Sequence, residues 1–161
     1  IKNCLDSYFQ KEYFDDKNSL DCSTCKSKQK MVKETKLAVI PPILTIVLKR
    51  FKFTAKIRRK IEKGIKYPKS LNLSEYSIKT KNTDDEESHE YLLNSIVCHS
   101  GSLNSGHYYS YVNVEDKWIS YNDSIAKYVD KSFAENNLTE SCYILIYMRN
   151  NYSLTKDRNN K

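Results

Sequence analysis

The chain has 161 residues and a formal net charge of +7, with 39% hydrophobic and 12% aromatic residues. That length and apolar content support one domain with a real core and exclude wholesale disorder. The longest apolar run, Leu37–Leu48, is broken by Pro41, Pro42 and Thr45 and falls short of the ~20 residues of a membrane helix.

Taken in order, Ile1-Lys2-Asn3-Cys4 leads straight into sequence with a folded pattern, without a secretory signal, and the missing initiator Met reads as an excised or processed piece. A short helix is predicted around Cys4–Phe9, then an acidic turn at Asp15-Asp16 and the motif Cys22-Ser23-Thr24-Cys25. Pro41-Pro42 ends the element that begins at Leu37. Leu44–Phe53, rich in β-branched and aromatic residues, reads as one strand. Thr54–Gly64 reads as a loop or extended hairpin, and Tyr67-Pro68 as a bend. Residues 79–90 form a low-hydrophobicity insertion expected to be mobile. Four strands follow at Tyr91–His99, His107–Val114, Lys117–Tyr121 and Cys142–Met148, with a short helix within 129–140. The chain thus divides into a domain over 1–149 and a polar tail over 150–161.

Between Lys49 and Lys69 ten cations face the single acid Glu62. Such a stretch could hold nucleic acid, but no nucleic-acid motif accompanies it, and a solvated basic loop is the simpler reading. Five cysteines, an odd number, make a poor disulfide framework and point to a reducing compartment, cytoplasm or nucleus. The Cys22–Cys25 pair has the spacing of half a tetrahedral zinc site; a redox pair or chance spacing reads as well from two thiols alone.

Chemistry concentrates at Gly106-His107-Tyr108-Tyr109. A catalytic imidazole must be reachable and yet fixed in orientation, and His107 stands where the glycine-bearing loop Ser100–Gly106 meets a strand. If Val114 and Lys117 flank a tight turn at Glu115-Asp116, Tyr111 lies opposite Ser120 and Tyr109 opposite Asn122. His107, Tyr109 and Asn122 then share one face, with Asn122 in diagonal reach of His107, while Asp123 points to the other. An amide carbonyl can accept from an imidazole N–H and fix its tautomer. Pairing His99 with His107 would put Cys98 on the face opposite His107, and Cys142 opens an apolar strand; both read as buried hydrophobes, which leaves the chain without a nucleophile.

Together these segments resemble the ubiquitin-specific protease family. Cys22–Cys25 followed by Leu37–Phe51 is similar to that family's second zinc motif and the strand after it. Tyr91–Gly101 with Ser105–Tyr111 resembles its histidine box, and Trp118–Ser124 with Ser141–Tyr147 its closing block. The resemblance implies an α+β, papain-like fold of mostly antiparallel sheet, of which this chain supplies the palm and part of the fingers. It implies a thiol-dependent deubiquitinase acting on ubiquitin and ubiquitinated proteins, with His107 as general base, Asn122 at the third catalytic position and Asp123 assisting. Gly106 and Tyr108 would line the channel for ubiquitin's C-terminal tail, bordered by Ser100–Gly106 and by a loop within Thr54–Lys63. Cys22 and Cys25 would be two of four zinc ligands. The nucleophilic cysteine would come from an upstream part of the catalytic domain, so this chain alone would be inactive. A catalytically inactive ubiquitin-binding scaffold is the alternative, and a basic nucleic-acid module a third.

Overall fold

A computed structural model describes residues 1–78 and 88–152. The described residues form two compact units, Ile1–Ile40 with Glu75–Ile78, and Pro41–Ser74 with Ser88–Tyr152.

The first unit opens with helix α1 (Lys2–Phe9), as predicted. Phe9 stacks on Tyr76 at 5.0 Å, and the Tyr76 hydroxyl donates to the Asp6 carboxylate, which holds that acid below its usual range. Two small antiparallel pairs follow. Strand β1 (Glu12–Phe14) pairs with β4 (Met31–Lys33), and between them β2 (Leu20–Asp21) pairs with β3 (Lys28–Gln29). The β2–β3 connection is the Cys22–Ser27 turn. It closes through Lys26 N–H to Cys22 O (2.9 Å) and Cys22 N–H to Ser27 O (3.0 Å), with Lys26 left-handed at φ 53°.

The second unit is built on a seven-stranded sheet. Its strands are β5 (Ile43–Val47), β8 (Ser70–Asn72), β9 (Glu90–Gly101), β10 (Gly106–Val114), β11 (Lys117–Asn122), β12 (Ile125–Val129) and β13 (Cys142–Arg149), in the order β12-β11-β10-β9-β13-β5, with β8 paired to β9. Every pairing in this sheet is antiparallel. A separate hairpin joins β6 (Phe51–Phe53) to β7 (Arg58–Lys60), and α2 (Lys131–Asn136) lies before β13, capped by Asp130 accepting from Ser132 N–H.

Alternation decides which face is covered. Ile96, Cys98, Tyr111, Trp118 and Leu145 project from successive strands to one side and are buried. Ala134 and Leu138, in and after α2, join this core, and the Tyr67 hydroxyl donates to Ala134 O (2.8 Å).

The predicted strand over Leu44–Phe53 is two strands, broken at Leu48–Arg50. The cause is Arg50, which is only 1% exposed. Its guanidinium donates to four backbone carbonyls, Cys142 O (2.6 Å), Thr139 O (2.7 Å), Ile61 O (2.9 Å) and Lys63 O (3.0 Å). A buried charge is tolerable once its donors are satisfied, and turning the chain inward at Arg50 achieves that. Of the insertion expected over 79–90, residues 79–87 lie outside the described residues, whereas Glu90 already belongs to β9. The tail from 153 onward also lies outside them.

Candidate active site

The β10–β11 hairpin follows the predicted parity. Val114 pairs with Lys117 across Glu115-Asp116, and both turn residues have positive φ (49° and 63°), the mirror-image turn that matches strand twist. Tyr111 then pairs with Ser120, so the register carries Tyr109 toward Asn122. His107 Nε2 lies 2.5 Å from Asn122 Oδ1. Because an amide oxygen only accepts, Nε2 carries the proton and donates, and Nδ1 keeps its lone pair. The ring stacks on Tyr109 at 6.3 Å with an interplanar angle of 17°. Among the described residues Nδ1 has no hydrogen-bond partner, and the imidazole side chain is 45% exposed. The imidazole is thus held in one tautomer on a side chain that is partly open to solvent.

Asp123 corrects the expectation that it faces away. It lies in the short turn between Asn122 and Ile125, left-handed at φ 51°, where strand alternation no longer applies, and its Oδ2 comes within 3.8 Å of His107 Nε2. Both acceptors therefore converge on the same ring nitrogen, Asn122 close and Asp123 farther and more exposed.

The expected pairing of His99 with His107 is also off, by one residue. His107 pairs with Ser100 and Tyr108 with His99, because Gly101 and Gly106 pair to close the loop over the four residues 102–105. One step of register turns every side chain over, so Cys98 shares the face of His107 instead of opposing it. It is nonetheless fully buried, and burial pushes its thiol up to about 11. Cys142 is buried as well and its thiol is raised for the same reason. Neither is a nucleophile poised for thiolate chemistry.

Gly106 permits a close approach. A Cβ there would lie 2.6 Å from both His99 Cε1 and Ser100 O. His99 thus has a packing role that its sequence context did not reveal. Only 5% exposed, it sits edge-on to Phe51 (5.3 Å) and against Tyr108 (4.7 Å), and Tyr108 leaves half its surface open beside the loop.

Cys22 and Cys25 stand in the β2–β3 turn. The Cys25 backbone N–H directed at the Cys22 sulfur holds that thiol down at about 7. A turn whose amides favour thiolate fits half of a tetrahedral thiolate site. Among the described residues no cluster of three or more His, Cys, Asp or Glu side chains completes one.

Comparison with known proteins identifies the architecture. The family model described as "Ubiquitin carboxyl-terminal hydrolase" matches residues 4–147. The chain belongs to that family. Its relatives include human ubiquitin carboxyl-terminal hydrolase 3, 32% identical over 160 residues and covering 98% of this chain and 30% of the human protein. Ubiquitin carboxyl-terminal hydrolase 8 of Saccharomyces cerevisiae is 33% identical, covering 91% of this chain and 32% of the yeast protein. Among solved structures, the SAGA DUB module of Ubp8, Sgf11, Sus1 and Sgf73 bound to monoubiquitin superposes with a TM-score of 0.73 at 30% identity, covering 95% of this chain and 33% of that one. The same module bound to ubiquitin aldehyde gives 0.70. The chain spans about a third of the length of these proteins. It carries part of the catalytic domain of a ubiquitin-specific protease, a cysteine-type hydrolase family, and its α+β, mostly antiparallel fold is the one anticipated from sequence.

Proposed function

We propose that this chain is the histidine-bearing part of a thiol-dependent deubiquitinase that cleaves after the C-terminal glycine of ubiquitin. The observation that carries the reading is the 2.5 Å bond from His107 Nε2 to Asn122 Oδ1, which leaves Nδ1 as the proton acceptor. The nucleophilic cysteine comes from outside these 161 residues. Its thiol gives its proton to His107 Nδ1 and the sulfur attacks the scissile carbonyl; the imidazolium then protonates the leaving lysine amine. Asn122 holds the ring and Asp123 stabilises its charged form from 3.8 Å. Gly106 and Tyr108 border the channel for the ubiquitin tail, Gly106 because its missing Cβ lets backbone approach closely, Tyr108 because its ring lies open beside the loop. Ubiquitin as partner is also supported by the Ubp8 module, whose solved forms hold monoubiquitin or ubiquitin aldehyde.

Cys22 and Cys25 supply two of four zinc thiolates, the others lying elsewhere in the intact domain. Bound zinc would tie the turn to that second pair and stabilise the fold. An odd set of five cysteines with one CxxC pair makes a poor disulfide framework, which favours a cytoplasmic or nuclear setting.

The test is release of a fluorophore from the ubiquitin C-terminus by the full-length protein and by this chain alone. Turnover by the full-length protein and silence from the chain are expected. A full-length protein that binds ubiquitin without turnover replaces the reading with that of an inactive scaffold.

A further inference from the structure

The β6–β7 hairpin is strongly basic, yet its cations are not equivalent. Lys52 and Arg59 pair across one face and are exposed, with no salt bridge among the described residues. Lys60 pairs with Phe51, is half-buried and is directed inward. Its ammonium donates to His99 O at 3.0 Å and to Gly101 O at 2.9 Å. Those two carbonyls bracket Ser100, and Ser100 is the residue paired directly across from His107.

The loop beyond needs such a tie. Gly101 is at φ 97°, and the loop closes through one backbone bond, Ser102 N–H to Ser105 O (2.8 Å), with the Ser102 hydroxyl donating to the same carbonyl and accepting from Asn104 N–H. Two glycines at its base give the backbone freedom that a catalytic histidine beside it cannot tolerate. A compact ammonium with three rotatable donors suits two converging carbonyls. Phe51, packed on the His99 ring, steadies the same strand end from the side chains. Lys60 also sits near enough to His99 to add to the lowering of that imidazole's pKa, after burial.

We infer that Lys60 is a positioning residue for His107, fixing the backbone opposite it and linking the basic hairpin to the histidine loop. The inference rests on the deubiquitinase reading for its catalytic consequence. Movement of the hairpin, for example when a substrate tail enters beside it, is transmitted through Lys60 to the strand that carries the histidine's partner.

The test compares Lys60→Met, Lys60→Arg and the exposed-surface control Lys66→Met in the full-length protein, alongside wild type and His107→Ala. Lys60→Met is expected to lower kcat about 10- to 100-fold, the cost of a slight misplacement, with little change in KM. Lys60→Arg, which keeps two donors, restores most of the rate, and Lys66→Met matches wild type. The His107 Nε2–H proton resonance, shifted downfield by the bond to Asn122, is expected to move or broaden in Lys60→Met and return in Lys60→Arg. A wild-type kcat in Lys60→Met, or a loss that only follows the folded fraction, overturns the inference. The deubiquitinase reading is judged separately, by wild type against His107→Ala. Should the wild type be silent toward ubiquitin, the resonance decides alone, and an unchanged His107 signal in Lys60→Met overturns the positioning role.

Discussion

Asn122 Oδ1 and Asp123 Oδ2 approach the same nitrogen of His107, at 2.5 Å and 3.8 Å. The nearer acceptor fixes the tautomer; the farther one adds a negative charge that matters only once the ring is protonated. Asn122→Ala should therefore lower kcat/KM by about 100-fold, the scale of disabling a general base. Asp123→Ala should cost less than about 10-fold, because its carboxylate is exposed and screened. Steady-state kinetics on a ubiquitin–fluorophore substrate checks the order, and equal losses would contradict this division of roles.

Gly106→Ala tests the close approach under the histidine loop. The added methyl would lie 2.6 Å from Ser100 O, a backbone atom of the paired strand that cannot swing aside. Urea unfolding should show a loss of about 1–3 kcal/mol, the usual cost of overpacking, together with a fall in activity. Unchanged stability would mean that the strand ends lie farther apart than described.

The hairpin that carries this geometry was legible in sequence on one condition, a two-residue turn at Glu115-Asp116; the structure has that turn, and Tyr111 falls opposite Ser120. The β9–β10 register was not legible, since the glycines Gly101 and Gly106 admit more than one way to close the loop. Asp123 escaped because φ 51° takes it out of strand alternation. The break at Leu48–Arg50 depends on carbonyls from residues 61, 63, 139 and 142, contacts no local pattern announces. Strand β12 was missed although Ile125–Val129 follows a turn and is rich in strand-forming side chains.

Burial, with the nearby Lys60 ammonium, lowers the pKa of His99 from 6.5. The unfolded chain then binds more protons than the folded one as pH falls below about 6.5. The contribution of neutral His99 to stability is complete above that value and is lost as pH falls through the lowered folded pKa. Calorimetric melting from about pH 8 to about pH 5 should show a smaller acid decline in His99→Phe, which keeps a ring in place. Parallel declines would remove His99 from the account.

Cys98 and Cys142 should resist alkylation in the native protein. The Cys98 thiol is pushed up to about 11 and both sulfurs are buried, so iodoacetamide at mildly alkaline pH should label them only after unfolding. Peptide mass mapping with and without denaturant reads this directly. Rapid native labelling of Cys98 would reopen it as a nucleophile.

The central claim is that His107 does chemistry on ubiquitin and not merely packing. The most direct measurement pairs turnover with affinity: kcat for a ubiquitin–fluorophore substrate and Kd for ubiquitin, in the full-length protein and in His107→Ala. A fall in kcat of about 1,000-fold with Kd little changed is the expected result, since loss of a general base spares ground-state binding. Wild-type turnover in His107→Ala would contradict the account.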